Sequence, residues 1–153
     1  MQKLNLIDRI PRLIACQSSN SNSLVRFFNT KKFEFQEANS IADSICASAP
    51  RNLYMANEAL EKSGGFPIEV DDEQIIDAQK EIIRRFGIFV EPSSATTYAS
   101  FLKAIENYLI DSDESYLLMF TGNGLKDLNS LKIWNKPIKT KTYNQWLDFF
   151  NES

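Results

Sequence analysis

An apolar run from Tyr116 to Phe120 ends abruptly in Thr121-Gly122-Asn123-Gly124, followed by Leu125-Lys126-Asp127. A hydroxyl between an apolar run and two spaced glycines suits the presentation of a polar group to a ligand. In α/β proteins ligands sit at the carboxyl ends of parallel strands, where glycine lets the backbone turn sharply and approach a bound group. The same Gly-x-Gly spacing also makes an ordinary tight turn. A second candidate group is Glu91-Pro92-Ser93-Ser94. Glu91 either lends its carboxylate to a site or places favourable charge at a helix start, with Ser93 or Ser94 as the N-cap. Lys126 and Asp127 read as a surface ion pair.

The chemistry open to these residues is narrowed by what the chain lacks. It contains no histidine and two cysteines, Cys16 and Cys46. The commonest general base and metal ligand is therefore missing, and with it the Ser-His and Cys-His nucleophile pairs. Two cysteines far apart in sequence form no metal cluster, so no metal site is expected. Catalysis would rest on carboxylates, lysines, hydroxyls or a bound cofactor. Both thiols lie in apolar neighbourhoods and read as buried and reduced, although a bond between them also fits the sequence.

A formal net charge of -3 with dispersed basic residues gives no footprint for nucleic acid. The lysines of 136–141 read as a solvated face. No stretch approaches the ~18 consecutive apolar residues that span a bilayer, and Met1–Arg12 is too polar for a signal peptide. A cytoplasmic protein with no membrane partner is expected. With 153 residues, 43% hydrophobic and 24% charged, a single α/β domain over 1–153 with a sizeable core is expected.

The elements that must position the candidate residues follow from periodicity. Arg12–Gln17 reads as a buried strand, Leu24–Phe28 starts a helix, and Phe33-Glu34-Phe35 is extended. Ile41, Ala42, Ile45 and Cys46 fall at helical spacing within Asn39–Ser48, and a further helix is expected over Arg51–Lys62, closed by Gly64 and Gly65. Ile68–Val70 is a short strand. Asp71 and Gln74 have the spacing of a capping box opening a helix over Asp72–Arg85, with Ile75, Ile76, Ile82, Ile83 and Phe86 as its buried stripe. Gly87 stops that helix and Ile88–Val90 gives another strand. A helix from Pro92 reaches about Leu109 on a face of Tyr98, Phe101, Leu102 and Ile105, Tyr116–Phe120 is the next strand, and Thr142–Phe150 a closing helix. Strands alternating with amphipathic helices predict an α/β fold, a partial doubly wound parallel sheet flanked by helices.

Four segments in this order resemble the C-terminal part of threonine synthase. They are Ile10-Pro11-Arg12-Leu13-Ile14-Ala15-Cys16-Gln17; Ile41-Ala42-Asp43-Ser44-Ile45 with Pro50-Arg51-Asn52; Gly87-Ile88-Phe89-Val90-Glu91-Pro92-Ser93-Ser94-Ala95; and Thr121-Gly122-Asn123-Gly124-Leu125-Lys126-Asp127. That family belongs to the tryptophan-synthase-like, fold type II pyridoxal-phosphate enzymes, and converts O-phosphohomoserine and water to threonine and phosphate. The resemblance implies pyridoxal phosphate as cofactor, with the Thr121 hydroxyl hydrogen-bonded to its pyridine nitrogen, Gly122 in the same cofactor-binding loop and Glu91 near the ring edge.

The resemblance also implies that the Schiff-base lysine and the glycine-rich phosphate loop belong upstream of the Pro11-Arg12-Leu13 strand. No catalytic residue is therefore expected in this chain, which would not act alone or hold the cofactor covalently. The expected partners are a separately encoded N-terminal portion of threonine synthase, or further copies of the chain. The alternative is a non-catalytic remnant or interaction module of the same fold. Ser18–Ser23 departs from the small residues and proline that the family tends to carry there.

Overall fold

The computed structural model describes residues 4–111, 113–127, 142–144 and 147. Strand β1, Ile14–Ser18, and strand β2, Phe66–Val70, pair in parallel, with Ile14 opposite Phe66 and Ser18 opposite Val70. The crossover between them contains α1, Ser23–Thr30, and α2, Leu53–Ser63. After β2 come α3, Asp72–Phe86, and α4, Pro92–Glu106. The α/β class and the parallel sheet flanked by helices follow the sequence reading.

Alternation along β1 divides the core. Ala15 packs with Leu24, Phe27, Leu53 and Leu60 of α1 and α2. Ile14 and Cys16 turn the other way, with Phe66 and Ile68, against Ala104 and Ile105 of α4 and Ile110 beyond it. Helices therefore cover both faces, as a parallel pair of apolar strands requires. The largest core cluster joins α3 to α4 through Ile75, Ala78, Ile82, Ala95, Tyr98 and Ala99, with Val70 and Val90 at its edge.

The helix ends obey local chemistry. Asp71 and Gln74 form the expected reciprocal capping box, and Gly64 and Gly87 close α2 and α3 at φ 65° and 66°, where a Cβ would be strained. Gln17, at the carboxyl end of β1, turns its Oε1 onto the N–H groups of Leu24 and Val25 at 2.9 and 3.1 Å and so satisfies the start of α1.

Several expectations are corrected. Asn39–Ser48 forms no α-helix but a single 3-10 turn, Asp43–Ile45. Its hydroxyls compete for the backbone: Ser40 Oγ accepts from Ala42 N–H and Ser48 Oγ from Ala38 N–H, while Ser21 Oγ accepts from Ala47 N–H. Ile88–Val90 is no sheet strand; Val90 makes one antiparallel bridge, to Asn123. Tyr116–Phe120, expected as a strand, forms none and pairs with no strand among the described residues. Its alternation is real, since Tyr116 and Phe120 pack on the core while Leu117 and Met119 are 88% and 65% exposed. Of the expected stripe of α3, Ile75 and Ile82 are buried, Ile76 and Ile83 half buried and Phe86 exposed, and Ala78 and Gln79 complete the buried face. Cys16 and Cys46 are free and only half buried. The predicted helix over Thr142–Phe150 and the lysines of 136–141 lie wholly or largely outside the described residues.

Candidate functional site

The antiparallel bridge that replaces the expected strand brings the candidate residues together. Around the Val90–Asn123 pair, Glu91 N–H donates to the Gly122 carbonyl at 3.1 Å and Gly124 N–H to the Phe89 carbonyl at 3.0 Å. These bonds fasten the loop 121–126 to the segment that enters α4. Glu91 is the N-cap residue of α4 but makes no side-chain cap, and Pro92 follows at the first helical position. Ser93 and Ser94, read from sequence as possible N-caps, lie inside the first turn.

Ser94 is instead bonded sideways into the loop. Its Oγ accepts from Gly122 N–H at 2.9 Å and donates to the Gly122 carbonyl at 3.3 Å, in a setting where Ser94 is 1% exposed. Close approach explains both glycines. A Cβ on Gly122 would stand 1.8 Å from Glu91 Oε1, and one on Gly124 would stand 2.4 Å from the Phe89 ring. The glycines thus admit protein side chains as well as turning the chain.

Glu91 is buried at 5% exposure, and its carboxylate needs partners there. Ser44 Oγ donates to Oε2 at 3.4 Å, and Lys126 Nζ stands 3.7 Å from the same oxygen. Lys126, expected to pair with its neighbour Asp127, therefore reaches across the loop to Glu91. Asn123 Oδ1 accepts from Leu125 N–H at 2.9 Å and caps the 3-10 turn Gly124–Lys126 that aims Lys126.

Ser44 is set in place by Asp72, at the first position of α3. The Asp72 carboxylate accepts from Ser18 Oγ at 3.2 Å, Ser40 Oγ at 2.6 Å and Ile41 N–H at 3.3 Å, tying the end of β1 to the segment that carries Ser44. The cluster therefore gathers at the carboxyl ends of β1 and β2. There Thr121 is exposed, and no hydrogen bond engages it among the described residues. A depression of about 450 Å³ lined by Arg12, Tyr108, Asp111 and Glu114 sits at the amino end of β1 instead.

The candidates Glu91, Thr121 and Gly122 stand together, with Glu91 N–H on the Gly122 carbonyl next to Thr121. The contacts of Ser94, Ser44 and Asp72 have no sequence signal; serines and a helix-opening aspartate carry no pattern that names a distant partner. The arrangement offers the Thr121 hydroxyl, unengaged among the described residues and able to donate or accept, on a loop braced by a buried carboxylate with its counter-charge. Such a hydroxyl fits an aromatic ring nitrogen, which takes a single hydrogen bond.

A family model described as pyridoxal-phosphate dependent enzyme matches residues 1–122. The chain is 35% identical over 138 residues to a threonine synthase of Methanocaldococcus jannaschii, covering 88% of this chain and 34% of that protein. Among solved structures it superposes on the L-serine ammonia-lyase of Rhizomucor miehei with a TM-score of 0.68 at 20% identity, covering 88% of this chain and 44% of that one. On the threonine synthase of Escherichia coli the score is 0.63 at 20% identity, over 87% of this chain and 31% of that one. The chain spans about a third of the length of the curated relatives it matches.

Proposed function

The chain belongs to the pyridoxal-phosphate dependent enzyme family, and on that premise we propose that it is the C-terminal part of a threonine synthase, a lyase of amino-acid biosynthesis acting on O-phosphohomoserine and water. The reading is supported by 35% identity to a threonine synthase across most of the chain. The observation that carries it is the hydroxyl of Thr121, unengaged among the described residues and held on a braced loop at the carboxyl ends of the strands.

When bound, pyridoxal phosphate supplies an electron sink for the bonds at the amino-acid Cα. Thr121 would hold the ring nitrogen by a hydrogen bond from a neutral group. Unlike an aspartate, that hydroxyl does not keep the nitrogen protonated, so it tempers the sink. Gly122, without a side chain, would let the backbone approach the ring, and Glu91, which holds Lys126 across the loop, would lend its carboxylate to the same site. The chain spans about a third of the length of its relatives, and the covalent lysine and the phosphate cradle would stand in the other two-thirds of the fold.

The test is to express the chain with the polypeptide that supplies those two-thirds and to assay phosphate release from O-phosphohomoserine. Release in the combined sample and not in either part supports the reading; none in the combined sample removes it. A second reading, a non-catalytic interaction module, draws on the exposed Leu117 and Met119 of the unpaired segment. It predicts a stable complex or oligomer without cofactor.

A further inference from the structure

The hydroxyl of Ser94 makes two contacts with the Thr121 loop that the roles of Thr121, Gly122 and Glu91 do not use. Ser94 Oγ sits on the peptide groups either side of the Gly122 Cα: it accepts the N–H of the peptide joining Thr121 to Gly122, and donates to the carbonyl of the next peptide. The first of these peptides fixes the ψ of Thr121, and so the direction from which its hydroxyl is offered. We propose that Ser94 is the positioning residue of this site, holding the Thr121–Gly122 peptide so that the Thr121 hydroxyl is aimed before any ligand arrives. The proposal rests on the reading of Thr121 as the ring-nitrogen partner.

Three observations give Ser94 this task. It stands in the first turn of α4 as the third helical residue, where its own N–H donates to the Glu91 carbonyl at 3.0 Å, so its Cα is fixed by the helix. It is 1% exposed, so water does not compete for its hydroxyl. Its two bonds are also unequally backed up. The Gly122 carbonyl receives a second bond from Glu91 N–H, whereas Ser94 Oγ is the one acceptor for Gly122 N–H among the described residues. Removing the hydroxyl therefore frees the amide next to Thr121 while leaving the bridge to α4 in place.

The test uses the full chain with its amino-terminal complement, in wild type, Ser94→Ala, Thr121→Ala and the double variant. Amide hydrogen exchange reads the loop, and titration with pyridoxal phosphate reads the site. Ser94→Ala should speed exchange at Gly122 by about 10-fold or more while amides inside α3 stay protected. It should weaken pyridoxal phosphate binding by about 10-fold when Thr121 is present and leave it unchanged when combined with Thr121→Ala. An equal loss with and without Thr121→Ala, or unaltered Gly122 exchange, overturns the positioning role. Absence of binding by the wild-type complex would overturn the threonine synthase reading and this role with it, and is distinguished by occurring before any substitution. If Ser94→Ala does not fold, Ser94→Cys, which keeps a weaker donor and acceptor, should give the same pattern with a smaller effect.

Discussion

Gly122 and Cys16 show how one atom's surroundings decide what a residue tolerates. Gly122→Ala puts a methyl within 1.8 Å of Glu91 Oε1, on a carboxylate whose other oxygen, Oε2, Ser44 and Lys126 hold in place. Overpacking of that kind costs about 1–3 kcal/mol, measurable as a lower urea midpoint. The loss should shrink in a Glu91→Ala background, which empties the contested space; an undiminished loss would mean that the loop resists the methyl for another reason. At Cys16, burial raises the thiol above the ordinary range, partly offset by the nearby Ser100 hydroxyl. The folded chain holds this proton more tightly than the unfolded one. The contribution to stability is full below the ordinary thiol pKa and is lost as pH rises through the folded value. At a pH of about 8.5, alkylation of Cys16 should be at least about tenfold slower in the native chain than in urea. The turn at Gly122 and the helix entry at Glu91 are readable at this scale because glycine spacing and Glu-Pro mark backbone geometry. The contacts of Ser94 are not, because a hydroxyl's partner is chosen by the fold.

The helix α3 is the element that the sequence described best, and its start tests why. Asp71 Oδ1 accepts from Gln74 N–H at 2.8 Å and Gln74 Oε1 from Asp71 N–H at 3.0 Å. Asp71→Ala should cost about 1 kcal/mol, seen as a lower midpoint in thermal unfolding, and no change would show that tertiary packing alone fixes the helix start. Capping and glycine stops act within one turn, so they are legible locally. The segment Asn39–Ser48 misled for the opposite reason. Its apolar residues keep helical spacing, yet Ser40 and Ser48 give the backbone other partners, and the anchor for Ser40 is Asp72, 32 residues away. The strand pattern of Ile88–Val90 was likewise real as an apolar run. What periodicity does not contain is the partner, here an antiparallel bridge to a loop rather than a parallel neighbour.

Over the whole molecule, covered and bare surfaces are divided along Tyr116–Phe120. The inward side chains pack against the clusters around α4, whereas Leu117 and Met119 stand in solvent, and no backbone hydrogen bond engages 117–120 among the described residues. A segment with apolar outward residues and unpaired backbone is a template for another strand. Replacing Leu117 and Met119 together by lysine should leave the unfolding free energy within about 0.5 kcal/mol of wild type, since both stand mostly in solvent. The same change should abolish association with the complementing two-thirds of the fold in sedimentation; unchanged association would place that interface elsewhere.

Whether the Thr121 loop is the ring-nitrogen half of a pyridoxal phosphate site is decided by the visible absorption of the cofactor. The full chain and pyridoxal phosphate are measured before and after addition of the amino-terminal complement, with wild type and Thr121→Ala. A protein-bound cofactor band is expected in the mixture, shifted from that of free pyridoxal phosphate and weakened by Thr121→Ala. A mixture that shows free cofactor alone, or a bound band that Thr121→Ala leaves unaltered, would contradict this assignment.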